Sequence, residues 1–166
     1  MPTNDEYLNE LWAFDNTGSN NQDEYSDATV GADIELFSAW KIEDGSSNEV
    51  IVAVLDDGNG YIDDVNGYDF ADQDNNPNPM EHHGTHISGT IAGVANNGIG
   101  VVGVSQYAKL MAIKTWSDED DSSTAATVEG LTYAVDNGAR VVNMSLSVLD
   151  SQSLQDAIEY ANEEGY

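Results

Sequence analysis

Val50 to Leu55 is an unbroken apolar run of six residues, three of them valine, with polar turn residues on both sides. A strand that faced water on one side would alternate apolar and polar residues, so a continuous run of this length specifies a strand buried on both faces. Burial on both faces is the property of a parallel sheet with helices above and below it, and the rest of the chain supplies the helices. The spacing predicts helices at 34–40, 86–95, 124–137 and 154–164, and further strands at 109–115 and 140–146. Asp33 is expected to cap the first helix, and Gly138 to end the third. Residues 17–29, rich in Asn, Ser, Gly and Asp, read as a loop after a short element carrying Trp12 and Phe14, and 56–82 read as polar loop. The expected fold is therefore α/β with a mainly parallel sheet. Residues 1–30 form an N-terminal extension and loop, and residues 31–166 an incomplete α/β core that ends after a helix, where another strand is due.

Charge narrows what such a domain binds. There are 31 Asp and Glu against Lys41, Lys109, Lys114 and Arg140, a net charge of −27. Phosphate neutralisation needs Lys and Arg, so nucleic acid is excluded as a partner. So large a negative charge repels itself and is relieved by bound cations or by high ionic strength, which leads to an expectation of calcium binding, a saline habitat, or both. The chain has no cysteine for disulfides or thiolate metal sites. No run reaches the roughly 20 apolar residues of a membrane span, and the first residues carry no signal-peptide pattern. No membrane partner is expected.

In parallel sheets, functional groups collect where strands end. Asp56 follows the apolar run, and His83-Gly84-Thr85-His86 opens a helix. A carboxylate held at a strand end can accept the Nδ1 proton of an imidazole on the first turn of a helix, which fixes the tautomer a general base needs. Asp69, Asp72, Asp74, Asn76 and Asn78 place hard oxygen donors at short, alternating spacing in one segment, a set suited to Ca²⁺. Asp57-Gly58-Asn59-Gly60-Tyr61-Ile62-Asp63 invites comparison with an EF-hand loop. It fails for want of the closing glutamate and flanking helices. His82, His83 and His86 suggest zinc, but the glutamate-flanked pattern of zinc proteases is absent.

These motifs, taken in order, resemble the subtilisin-like serine proteases, the subtilases. The resemblance rests on Asn4-Asp5, Gly31-Ala32-Asp33-Ile34, the strand with Asp56, and His83-Gly84-Thr85-His86-Ile87-Ser88-Gly89-Thr90. It continues through Asn96-Asn97-Gly98-Ile99-Gly100-Val101 and Val141-Val142-Asn143-Met144-Ser145-Leu146. It implies the subtilisin-like three-layer fold, serine endopeptidase activity on polypeptide substrates and an extracellular location. It makes Asp56 the triad aspartate and His83 the general base. It also implies that Ser145, Leu146 and Ser147 form one substrate-pairing edge opposite Asp121, Ser122 and Ser123. It places a calcium loop at Asp69 to Asn78, and implies a second calcium site at Asp5 and Asn97 with the carbonyls of Ala95, Ile99 and Val101.

The sequence departs from the family pattern in several ways. Neither the Gly-Thr-Ser nucleophile segment nor the oxyanion asparagine occurs within the 166 residues. The His-Pro-Asp segment expected after Asp56 is missing, Asp57 stands where Thr or Ser is usual, and His82, Ser122 and Ser147 replace glycines. The chain is expected to be inactive alone, with its own C-terminal part as a candidate partner. A degenerate, noncatalytic subtilase acting as a calcium-binding or protein-interaction module is the alternative.

Overall fold

The computed structural model describes residues 3–11, 13–17, 29–42, 45–46, 49–56, 67–78, 81–117 and 123–165. Trp12, most of the 17–29 loop and the segment compared with an EF-hand therefore lie outside the described residues. The chain forms two compact units, Val50–Ser88 with Ala108–Tyr166, and Met1–Glu49 with Gly89–Tyr107.

The first of these is built on β1 (Ile51–Asp56), β2 (Tyr68–Asp69), β3 (Lys109–Lys114) and β4 (Val141–Met144). All pairings are parallel and the order is β2-β3-β1-β4. The apolar run thus becomes an interior strand, with Ala53, Val54 and Leu55 buried. Burying a side chain such as leucine contributes roughly 1.5–3 kcal/mol. Helix α3 (Thr124–Asp136) packs on β1 and β3, and α4 (Gln152–Glu163) packs on α3. Ser123 and Ser151 cap these helices through their hydroxyls, which accept from the amides of Ala126 and Leu154. Gly138, at φ +85°, follows α3 in the left-handed conformation that glycine adopts without strain. The core is Ala53, Leu55, Met111, Ile113, Leu131, Ala134, Val135, Ala139 and Ala157.

The second unit holds a 3₁₀ turn (Leu8–Glu10) and α1 (Leu36–Ala39) around Phe14, Leu36 and Val102. Trp40 donates its indole N–H to the carbonyl of Val104 at 2.9 Å. Asp33 does not cap α1. Glu35 takes a left-handed backbone (φ +53°) before the helix, and the Asp33 carboxylate accepts from the amides of Glu35 and Asn16 instead.

Other boundaries also shift. The helix expected at 86–95 runs from His83 to Ala92 as α2. β4 stops at Met144 rather than 146, and the region read as loop contains the two-residue strand β2. On α2, Ser88 is fully buried and its hydroxyl has no hydrogen-bond partner among the described residues. A buried hydroxyl left without a partner costs about 1–3 kcal/mol. Ser88→Ala should therefore raise stability by about 1 kcal/mol, read as a higher denaturant midpoint at unchanged m value. A lower midpoint would show that the hydroxyl is satisfied after all.

Candidate active site

β1 ends on Asp56 and α2 starts on His83, so a rigid strand and a helix each deliver one functional group. Asp56 Oδ1 lies 2.8 Å from His83 Nδ1. An ionised carboxylate has no proton to give, so the imidazole Nδ1–H is the donor. The Asp56 side chain is 4% exposed and that of His83 is 58% exposed. This division suits proton transfer, because a buried acid orients the ring and stabilises the imidazolium while the ring stays accessible to a reacting group. Gly84, the next residue of the helix, is buried. His82 is almost fully solvated and lies 3.7 Å from Glu81, so it takes no part in the pair.

The residues expected to pair with substrate are only partly described. Ser145, Leu146 and Ser147 follow β4 as irregular backbone, with both serines exposed and Leu146 packed against the core. Asn143 donates its side-chain amide to the Ser145 hydroxyl at 3.0 Å. On the opposite edge, Asp121 and Ser122 lie outside the described residues, and Ser123 is used as the α3 cap.

The acidic segment holds an internal cation. Lys114 pairs in register with Asp56 on one side and with Asp69 on the other, so the three residues form one row across β1, β3 and β2. Its ammonium donates to Asp69 Oδ2 at 2.7 Å and to Asp72 Oδ2 at 3.0 Å. Asp69 Oδ1 accepts from the amides of Ala71 and Asp72. Asp74 Oδ1 accepts from the Asn76 amide, and the side chains of Asn76 and Asn78 bond each other. Among the described residues no three acidic or imidazole side chains converge as a metal cage. Both oxygens of Asp69 and one oxygen each of Asp72, Asp74 and Asn76 are thus directed at protein donors.

In the other unit Asp5 accepts from the amides of Asn96 and Asn97, while Asn97 Oδ1 accepts from the amide of Ile99. Burial pushes the Asp5 carboxyl up, but the neighbouring Thr3 hydroxyl and the amides of Asn96, Asn97 and Gly98 outweigh it and hold it below the ordinary value of 3.8. A carboxyl lowered on folding adds stability that is complete above its unfolded value and is lost as pH falls through the folded value. Asp5→Asn should therefore lower stability near neutral pH and flatten its decline below about pH 4, read from urea midpoints across pH. An unchanged acid slope would remove Asp5 as its source.

A buried acid bonded to an accessible histidine, where a parallel strand ends and a helix starts, is an arrangement chemically able to take up a proton from a reacting group. Residues 13–166 match the subtilase family profile, and the chain belongs to that family. It is 34% identical over 141 residues to thermitase of Thermoactinomyces vulgaris, an alignment covering 80% of this chain and 49% of thermitase. It is 29% identical over 143 residues to the cell wall-associated protease of Bacillus subtilis, covering 81% of this chain and 15% of that protein. A solved protease from Pseudoalteromonas arctica PAMC 21717 superposes with a TM-score of 0.77 at 27% identity, covering 99% of this chain and 57% of that one. The chain thus spans about half the length of thermitase. The expected parallel α/β architecture is that of the family.

Lys114 escaped the sequence reading as a functional residue. The available signal was one of only four basic side chains, placed at the end of a buried strand in a chain with 31 carboxylates.

Proposed function

We propose that this chain supplies the aspartate and the general base of a serine endopeptidase, with the nucleophilic serine and the oxyanion asparagine coming from polypeptide outside these 166 residues. The observation that supports it is the 2.8 Å contact between buried Asp56 and accessible His83. In this reading His83 takes the proton of the incoming serine, Asp56 steadies the imidazolium, and the exposed backbone after β4 pairs with an extended peptide substrate. The chain alone is inactive, because covalent catalysis needs the serine. The reading also places the protein outside the cell, in keeping with a relative named for the cell wall. No helix among the described residues is long and apolar enough to cross a membrane.

The test compares the 166-residue chain with a version joined to a segment carrying a Gly-Thr-Ser nucleophile and an oxyanion asparagine. The joined protein should hydrolyse peptide substrates, label with a fluorophosphonate probe, and lose both properties on His83→Ala. Fluorophosphonate-sensitive hydrolysis by the short chain alone would overturn the proposal. A joined protein that is folded yet never labels would favour a noncatalytic module instead.

A further inference from the structure

We propose that the ammonium of Lys114 is the resident cation of the 69–78 acidic segment, a side chain holding the place in which a metal ion was expected. Lys114 and Asp69 are both buried, at 2% and 1% exposure, so their contact is shielded from solvent and salt. The distances of 2.7 and 3.0 Å to Asp69 and Asp72 are those of charge-assisted N–H···O bonds. Both oxygens of Asp69 are committed, one to the ammonium and the other to two amides of its own turn. Calcium takes about six to eight oxygens at roughly 2.3–2.6 Å. To gain Asp69 and Asp72 it would have to displace a buried ammonium from both carboxylates, or sit beside it and meet its repulsion.

The arrangement has a consequence for the segment that leads into α2 and His83. A calcium ion leaves when its concentration falls, whereas a lysine on β3 is permanent. The turn at Asp69 to Asp72 is fastened to the sheet at the row containing Asp56, and this fastening is insensitive to calcium supply and to chelators.

The experiment is thermal unfolding of the full chain in excess Ca²⁺ and in EDTA, for the parent, Asp74→Asn and Lys114→Met. Asp74 does not bond Lys114, so Asp74→Asn reports metal binding in this segment without disturbing the ion pair. Any Ca²⁺-dependent shift of the parent Tm should be the same in Asp74→Asn to within about 1 °C, since it would arise elsewhere. Lys114→Met leaves two carboxylates facing a vacated cation position, and should acquire a Ca²⁺-dependent rise in Tm of about 5 °C or more beyond the parent's shift. The proposal is overturned if the parent's Ca²⁺ shift is lost in Asp74→Asn. It is overturned equally if a folded Lys114→Met gains no response to Ca²⁺. Should Lys114→Met fail to fold in either condition, the comparison of parent with Asp74→Asn decides alone.

Discussion

Asp56→Asn is expected to lower kcat about 10⁴-fold in a complete protease carrying this segment, with little change in Tm. The substitution keeps size and shape but replaces an acceptor-only oxygen pair with a group that can donate. The asparagine amide then bonds His83 Nδ1, the ring proton moves to Nε2, and the nitrogen that should receive the serine proton is already occupied. Because Asp56 acts through His83, combining Asp56→Asn with His83→Ala should be no worse than His83→Ala alone, a loss of about 10⁶-fold for groups that act as a unit. The tautomer is measurable even without a nucleophile. In the 166-residue chain, ¹⁵N NMR should report the Nδ1–H form of His83 in the parent and the Nε2–H form in Asp56→Asn. A fall in kcat of less than tenfold, or an unchanged tautomer, would remove Asp56 from the orienting role that its 2.8 Å contact supports.

The second large effect concerns stability. Gly103→Ala should cost about 3 kcal/mol, at the upper end of what overpacking usually does. A Cβ at Gly103 would overlap the backbone nitrogen of Gly93 and lie 2.6 Å from the nitrogen and Cα of Ala92. The atoms in the way are main chain, so no rotamer change relieves the overlap. Gly103 also donates its amide to the Gly93 carbonyl at 2.9 Å, a bond that the required shift would strain. Chemical unfolding of Gly103→Ala measures this directly, and a loss below about 1 kcal/mol would mean that the two backbone segments part easily.

The sequence made β1 legible because six consecutive apolar residues have few alternatives, and it made the contact of Asp56 with His83 legible because one follows an apolar strand and the other opens a helix. The row containing Lys114 was not legible. It depends on β2, whose two residues Tyr68 and Asp69 are too short to leave an alternating pattern, and on a register set only once β3 lies between β2 and β1. Without that register, nothing in the sequence brings Asp69 and Asp72 to a buried lysine. Asp33 misled for a different reason. Its carboxylate does bond a backbone amide, as a cap would, but the left-handed backbone of Glu35 puts the helix start further along the chain. Ser145 continues the apolar motif in sequence, but β4 ends at Met144 and the Ser145 hydroxyl is engaged by Asn143.

The parallel sheet also governs how quickly this protein can form. Ile51 pairs with Lys109 and Val52 with Val141, so β1, made first, finds its neighbours only after long stretches of later sequence have emerged. Closing such loops costs entropy before any strand contact returns it, which places the domain among slow folders. During that interval the apolar run at 50–55 has no partner and is the segment most open to association with another chain. The strand that carries the orienting aspartate is thus also the point at which a crowded, newly made population of this protein would be most prone to aggregate.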